Sequence, residues 1–529
     1  MSPRGRTRLL AVAVGAAAAI VGAGVAELAA APISTLAGPF AAIAGGLVDL
    51  APPWAKELAI SLFGTADKPA VLVGIALALV GLGALAGLLE FARPPVGALL
   101  SALAGVLGVV AVLTRPESAL LWGLPSVLGS LVTVGALRLL IARLRAVPEP
   151  LARATPESAT KVTPDVATDR GPSGPSRRSV LGWAGGLAAI GVLAAIGGRI
   201  ADASLRAATV LRDAIRLPTP ARRAAAIPPS AELGIEGLSP IITPATDFYR
   251  IDISFVPPRI DPASWSLKVH GMVDRPFTIG WDELIALPLE EHDATLMCVS
   301  NEVGGDLIGT ARWLGYPIRE LLARAGPQSD ADMVLSSSPD GFTAGTPLDA
   351  LTDPDRAALL AIGMNGEPLP YEHGFPARLV VAGLYGYVSA TKWVTSLEVT
   401  RFDRATAYWI ARGWGERGPV KVHSRIDVPR SGQLSAGATT IAGVAWHPHT
   451  GIATVDVRVD DGPWMSAELS TPINADCWVQ WHVPWQAAPG RHELRVRATS
   501  ADGEVQTETV QSTVPDGATG LHTVGVSVA

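Results

Sequence analysis

The sequence predicts a multi-domain chain: an N-terminal α-helical membrane domain, a mixed α+β domain in the middle and a C-terminal β-sandwich. Three observations carry that reading. The first two hundred residues are dominated by Ala, Gly, Leu and Val, whereas eleven of the fourteen Trp lie from Trp265 onward. Four runs in the first part are apolar over about the 20 residues that a bilayer-spanning helix requires. From Pro419 on, alternating apolar segments recur about every dozen residues between Asp-Gly and Pro-Gly turns, the spacing of a sandwich.

With 529 residues the chain has room for two or three domains. Its net charge is −6 and the later half shows no basic, aromatic-interleaved stripe, so nucleic acid is excluded as a partner. Only two cysteines are present, too few for a disulfide scaffold.

The four spans are read at roughly Leu9 to Ala30, Ala70 to Leu89, Val96 to Leu113 and Ala119 to Ile141, within a domain of residues 1–146. Such runs exceed ordinary buried helices and lack a polar face, which makes the lipid bilayer a partner. Leu36 to Phe63 is apolar but broken by Pro39, Pro52 and Pro53, which reads as a re-entrant or interfacial segment, with a further span as the alternative. Arg4, Arg6 and Arg8 precede span one, Arg93 lies between two and three, and Arg138, Arg143, Arg145 and Arg153 end or follow span four. With four spans these fall on one side, which the positive-inside rule makes cytoplasmic.

Residues 147–179, rich in Pro, Thr, Ser, Asp and Arg, read as a flexible cytoplasmic linker. It ends in Ser176, Arg177, Arg178 and Ser179, followed by a fifth apolar stretch at 180–198. Paired arginines before a modest hydrophobic run resemble a twin-arginine export signal, here internal, although the same pair could simply anchor a helix. Either way the fifth span runs outward, which puts the rest of the chain outside the plasma membrane. Residues 199–239 read as a stalk and connector, helical from Arg199 to Ala226 and irregular around Pro228 and Pro229.

Residues 240–418 form the middle domain. Thr246 to Asp252 reads as a strand, and Trp265 to Gly271 alternates as strands do. Trp281 to Leu287 is a short helix with an acidic first turn, and Trp313 to Ala325 has helical period closed by Gly326 and Pro327. Ser336 to Phe342 is a turn after a short strand. Cys298 stands at the edge of a Gly-rich turn with Gly304 and Gly305. A thiolate there is a good ligand for a transition metal, although a lone Cys is more often a small buried hydrophobe.

The neighbours of Cys298 resemble the molybdenum-ligand loop of the sulfite oxidase superfamily, in which a Cys-x-x-Asn turn is followed by Ala-Arg-Trp. Here those positions are Cys298, Asn301, Ala311, Arg312 and Trp313. A second block in the family's order comprises Asn365, Gly366, Pro368 and Pro370, then His373, Pro376 and Arg378, then Gly383, Gly386, Tyr387, Ser389, Lys392 and Trp393. The resemblance covers roughly Pro240 to the C-terminus. It implies a sulfite-oxidase-type molybdopterin domain, with a molybdenum-molybdopterin cofactor (Mo-pterin) whose metal is held by the Cys298 thiolate and the dithiolene of the pterin. Tyr249, Asn301, Arg312, Asp340, His373, Arg378, Gly386, Ser389 and Lys392 are its implied cofactor-binding residues. Arg and Lys suit a phosphate-bearing pterin, the one as a bidentate fork and the other as a point charge. Asp340 could meet the pterin amino groups or, equally, belong to an Asp-Gly turn.

On the substrate side the resemblance implies Cys298, Arg250, Arg412 and Trp414 as catalytic residues, with departures. Arg250 matches the start of an Arg-Asn-His run whose last two positions are here Ile251 and Asp252. Val303 and Gly304 stand where sulfite oxidases carry an anion-binding Arg. Trp414 falls at the place of their metal-side Tyr, with Arg412 as a compensating charge. A dianion needs several donors to offset its desolvation, so sulfite itself is a poor fit.

Residues 419–529 alternate in strands at Thr439 to Trp446, Ile452 to Val459, Cys477 to Trp481 and His492 to Ala498. This sandwich resembles the family's immunoglobulin-like module, often used for dimer contact, so a homodimer is one assembly it admits. Cys477 reads as structural, within a strand, and His447 and His449 as surface residues of a turn.

The expected activity is oxidoreductase: two-electron oxygen-atom transfer between molybdenum and a small-molecule substrate. The first two hundred residues hold no His and no Met beyond Met1, so these spans cannot ligate a haem through either. A separate electron-transfer partner follows: a cytochrome, a quinone enzyme or a soluble carrier. The rival readings are a reductase of sulfoxides or methionine sulfoxide, and a catalytically silent, membrane-anchored pterin-binding protein.

Overall fold

The computed structural model describes residues 3–33, 37–51, 62, 67–115, 118–146, 182–192, 212–254 and 257–529. The chain divides into two compact units, Met1–Ala207 with Ser254–Val256, and Ala208–Ile253 with Pro257–Ala529.

The first unit is helical: α1 (Pro3–Ala30), α2 (Pro39–Leu50), α3 (Asp67–Ala92), α4 (Val96–Leu113), a 3-10 turn at Leu120–Gly123 running into α5 (Leu124–Arg145), and α6 (Gly182–Val192). Four of these, at Gly5–Ala30, Ala70–Ala92, Val96–Leu113 and Leu120–Arg145, are long and apolar enough to cross a membrane, which suggests a multi-pass membrane protein. Their contacts use small residues. A Cβ on Gly87 would overlap the Ala11 carbonyl, and one on Gly129 would meet Ala26, so α1 sits against α3 and α5 at backbone distance. Leu77, Leu99, Leu107 and Leu131 face outward, the exposure that lipid tolerates and water does not. Arg145 donates from Nη2 to the carbonyl of Glu90 at 2.6 Å, capping the C-terminal end of α3 with the charge that a helix dipole favours there.

The stretch at 36–63 contains the 12-residue α2, shorter than a span, but residues 52–61 lie outside the described residues. So do the whole 147–179 linker with its arginine pair and the flanks of the fifth stretch, of which α6 is the described part.

Of the helical stalk expected from Arg199 to Ala226, residues 199–211 lie outside the described residues. Among the described residues helix covers 212–214 alone and an extended strap follows, because Pro218 and Pro220 fix their own φ and lack the N–H that a helix needs. The strap is bonded along its length. Arg212 donates to the Leu369 carbonyl at 3.0 Å, Ala221 N–H to Leu289 O at 2.7 Å, and Leu233 N–H to Gln480 Oε1 at 2.7 Å.

Two sheets build the middle region. One has the order β2-β1-β10-β5-β6, from β1 (Ser266–Gly271), β2 (Phe277–Gly280), β5 (Met333–Ser337), β6 (Thr343–Pro347) and β10 (Ser396–Thr400). The other joins β3 (Glu290–Met297), β4 (Ile308–Pro317), β7 (Ala358–Met364) and β8 (Glu367–Pro368), with β9 (Arg378–Val381) also paired to β7. Short helices α7 (Trp281–Ala286), α8 (Ile318–Ala325), α9 (Leu348–Thr352) and α10 (Gly386–Ser389) connect them.

Two readings of local structure are corrected. Thr246 to Asp252 is a turn and coil: the Pro244 carbonyl accepts from both Asp247 and Phe248, and Phe248 is buried edge-on against Trp313. The helix expected from Trp313 starts at Ile318, because Trp313 to Pro317 pair across to Met364 to Leu359 as strand β4. Pairing with a neighbouring strand outweighs the helical period of five residues.

The C-terminal region is a two-sheet sandwich, of order β11-β13-β17-β16 and β12-β19-β18-β14-β15. Its strands are β11 (His423–Val428), β12 (Gly432–Leu434), β13 (Gly437–Trp446), β14 (Ile452–Val459), β15 (Met465–Ser466), β16 (Glu468–Leu469), β17 (Val479–Ala487), β18 (Gly490–Ser500) and β19 (His522–Val528). Ile441, Val457, Trp481, Leu494 and Val496 meet between the sheets as its core. Cys477 lies before β17, not in it, buried in the turn that leads there. His447 and His449 are half-buried, and His449 lies 3.4 Å from Asp476 and 3.5 Å from Asp353.

The sandwich and the middle region share one core. Trp446 donates from Nε1 to the Met297 sulfur at 3.1 Å, and Trp478 from Nε1 to the Ile241 carbonyl at 2.9 Å. Arg425 of β11 pairs with the fully buried Asp427 at 2.7 Å and reaches the Gly305 carbonyl at 2.6 Å. Removing one partner of a buried ion pair strands the other charge, so Arg425→Met should destabilise the protein by about 3 kcal/mol. Denaturant unfolding of the full-length protein checks this, and the double variant with Asp427→Leu should recover part of the loss.

Candidate functional site

Cys298 follows the last residue of β3, and the chain returns into β4 at Ile308, so residues 298–307 form the hairpin loop between paired strands. The loop is closed from within. Cys298 N–H donates to Leu307 O at 2.9 Å, Asn301 N–H to Cys298 O at 3.1 Å, and Leu307 N–H to Asn301 Oδ1 at 2.8 Å. Gly304 has φ +79°, and a Cβ there would overlap the His522 ring, so only glycine fits both the backbone and the neighbour. Asn301 thus ties the loop rather than lining the site, and its amide nitrogen is buried without a partner among the described residues.

The Cys298 side chain opens on a cavity of about 850 Å³, its mouth included. Tyr249, Asp252, Asp340, His373, Arg378, Gly386, Lys392 and Trp414 line it too. Burial pushes the Cys298 thiol above its usual range, opposed by hydrogen bonds with Ser300. The thiol is therefore protonated at neutral pH until something cationic displaces its proton.

Arg378 starts β9 and is 5 % exposed. Its guanidinium donates only to carbonyls, those of His373 at 3.2 Å, Leu379 at 3.2 Å and Ala390 at 3.4 Å, and stacks over Trp313. Among the described residues no carboxylate lies within ion-pair distance. Burial without a countercharge pulls its pKa down to about 10.

Lys392 sits in the same wall. Nζ donates to Asp252 at 2.7 Å and to the Glu372 carbonyl at 3.0 Å, and burial lowers its pKa to about 8 although Asp252 opposes the shift. Asp252 also accepts from Arg250 Nε at 3.0 Å. The residue noted in the sequence only as a departure is therefore the counterion of Lys392. Nothing in its local spacing signals this, because the two lie 140 positions apart.

His373 is held neutral, its pKa lowered to about 4 by burial and then by Arg378. Its Nε2–H donates to the Ala245 carbonyl at 2.9 Å, so it offers the cavity a neutral imidazole. Asp340 accepts from the Ser338 hydroxyl and from Phe342 N–H at 3.1 Å, which is the turn reading, and it lines the cavity as well. Burial raises its pKa first of all. Tyr249 is raised by burial and then by Cys298.

Five expected site residues are absent from the cavity lining: Asn301, which ties the loop, Arg250, which is bonded to Asp252, and three more. Arg312 forms a bidentate cross-strand pair with Asp293 at 2.8 and 2.7 Å, on the face of β4 away from the cavity lining. Ser389 donates to the Leu384 and Tyr385 carbonyls at 3.1 and 2.9 Å, fixing α10, whose first residue Gly386 does line the cavity. Arg412 donates to the Tyr408 carbonyl at 2.6 Å with its guanidinium 3.6 Å above the Tyr408 ring. Aromatic side chains share the lining: Phe342, Tyr387, Trp409 and Trp414, of which only Trp414 was expected among site residues. Tyr387 donates to the Gly415 carbonyl at 2.5 Å and thereby holds the segment carrying Trp414.

Comparison with known proteins agrees with this geometry. The profile of the family described as "Oxidoreductase molybdopterin binding domain" matches residues 254–409. The chain is similar to mitochondrial sulfite oxidase of Mus musculus, 31% identical over 331 residues, 53% of this chain and 60% of that one. It is similar to YuiH of Bacillus subtilis, an uncharacterized oxidoreductase, 32% identical over 173 residues, 33% of this chain and 83% of that one. Among solved structures, the sulfane dehydrogenase SoxCD of Paracoccus pantotrophus matches with TM-score 0.48 and 22% identity, covering 56% of this chain and 85% of that one. The chain spans 55–60% of the length of the mammalian mitochondrial sulfite oxidases it matches.

A molybdopterin-binding domain implies a Mo-pterin cofactor, and the residues present fit one. A buried arginine with no carboxylate calls for an anionic ligand, since an unpaired buried cation costs several kcal/mol. A thiol, aromatic faces and a second buried cation share the same walls. Each cation is a strong donor, so Arg378→Met or Lys392→Met should lower the molybdenum content of purified protein about ten- to a hundredfold by elemental analysis.

His373, His423 and His522 all have pKa values lowered to about 4, chiefly by burial. Each stays neutral in the fold while the unfolded chain protonates near pH 6.5. The stability they allow is complete above pH 6.5 and is lost as pH falls towards 4. Thermal unfolding across that window should show the decline, and His373→Gln should flatten it.

Proposed function

This chain belongs to the sulfite oxidase family of molybdopterin-binding oxidoreductases, and from that membership we propose that it is a membrane-anchored enzyme of oxygen-atom transfer. One observation carries the proposal: a Cys298 thiol and two buried cations, Arg378 without a carboxylate and Lys392, face one cavity. In this reading the catalytic unit is residues 240–418, backed by the sandwich 419–529, and works on the outer face of the plasma membrane. Most arginines flanking the first four spans fall on one side, with Arg115 the exception between spans three and four, and by the positive-inside rule that bias supports the orientation.

The roles divide by chemistry. The Cys298 sulfur would bind the metal and lose its proton on doing so. Arg378 and Lys392 would hold the anionic part of the pterin, Lys392 kept in place by Asp252. Asp340 would accept hydrogen bonds from the pterin's amino groups, and neutral His373 would offer its free ring nitrogen. Tyr249 and the Gly386 backbone would pack against the ligand. Bound there, the cofactor supplies two-electron oxygen-atom transfer, and the chain supplies position, charge and a dry site. An electron partner is required in turn, because no described residue in the helical unit can ligate a haem through His or Met.

A second reading, reduction of a sulfoxide, is favoured by the aromatic part of the lining. Phe342, Tyr387, Trp409 and Trp414 line the cavity, while Arg412 stacks on Tyr408 and is not in the lining. Such a lining suits an uncharged substrate better than a dianion.

Purified protein should be tested with sulfite plus an artificial acceptor and with a dialkyl sulfoxide plus reduced viologen. Turnover in at least one assay is expected, and Cys298→Ser should lower it at least about 100-fold, more than outer-shell changes do. Protein that binds molybdenum through an intact Cys298 but turns over neither substrate, or that holds no molybdenum, contradicts the proposal.

A further inference from the structure

The helical unit holds a cavity of about 800 Å³, its opening included. Ala23, Phe40, Leu79, Ala104, Gly108 and Ser126 are among its lining, and none of the described residues that line it is charged. Ser126, near the start of α5, is 5 % exposed, and its hydroxyl has no hydrogen-bond partner among the described residues. Two neighbouring hydroxyls behave differently. Ser101 donates to the Gly97 carbonyl at 3.0 Å and Thr133 to the Gly129 carbonyl at 2.9 Å, each satisfied within its own helix.

An unpaired hydroxyl in apolar surroundings is costly, so an occupant that supplies an acceptor is favoured. The absence of charge in the lining disfavours a phospholipid headgroup, which needs ionic partners. What fits is a neutral, largely apolar molecule that carries a hydrogen-bond acceptor such as a carbonyl.

We propose that the helical unit binds an isoprenoid quinone in this cavity, with a ring carbonyl accepting from Ser126. The choice of a quinone over another neutral carbonyl lipid rests on the oxygen-transfer reading above. Oxidation of a substrate with oxygen drawn from water releases two electrons and two protons, and a quinone takes up both pairs in becoming a quinol.

The test is a titration of decylubiquinone into full-length protein in lipid nanodiscs, followed by Trp fluorescence. Saturable binding at one site per chain is expected. Ser126→Ala should weaken it about fivefold, the loss of one neutral hydrogen bond. Ala104→Phe, which fills the cavity, should abolish it. Cys298→Ser should leave it unchanged, which separates this inference from the enzymatic one: binding that survives in a protein without turnover leaves the quinone site standing. Binding that does not saturate, or that is equal in wild type and Ser126→Ala, overturns the proposal, as does displacement by phospholipid at equal concentration.

Discussion

The structure of the catalytic unit depends on how one ten-residue hairpin loop is seated. Residues 298–307 carry the thiol, and besides the loop's own backbone bonds four side-chain contacts fix them and the strand end before them: Asn301 onto Leu307 N–H, Arg425 onto the Gly305 carbonyl, His522 under Gly304, and Trp446 under Met297. Three of the four come from the sandwich. That region is thus part of the site's foundation, whatever its role in assembly. A loop closed only by its own hydrogen bonds would leave the sulfur free to wander by more than a metal site tolerates.

A second constraint is electrostatic. Two cations are buried in one wall, and the chain neutralises them unequally. Lys392 has Asp252, which is itself shared with Arg250. Arg378 has carbonyls alone, whose dipoles offset part of its desolvation. The imbalance leaves Arg378 without a carboxylate partner in the wall that Cys298 shares, and a buried cation so placed favours an anionic ligand over a neutral one.

Much of this was legible in the sequence. The long apolar helices follow from run length alone, and the sandwich from the period of its strands and turns. Cys298, Arg378 and Lys392 were singled out by the resemblance of their surroundings, and all three line the cavity. What the sequence concealed was partnership across distance. Arg312 looked like a pterin ligand because it neighbours Trp313, yet its partner is Asp293 across the β3–β4 ladder. Asp252 looked like a loss and is a counterion. Arg425 and Gly305 lie 120 positions apart, and Met297 and Trp446 149 apart, so no local pattern announces either contact. The strand at Thr246 to Asp252 and the early start of α8 were misread for a related reason. Apolar period shows which residues seek burial, whereas the available pairing partners decide whether they form strand, helix or coil.

X-ray absorption at the molybdenum edge of the purified full-length protein tests the central claim most directly, because it counts sulfur neighbours of the metal without requiring a substrate. If Cys298 is the ligand, the wild type shows three sulfurs, two from the dithiolene and one from the protein, and Cys298→Ser shows two. An unchanged sulfur count in the variant would contradict the account.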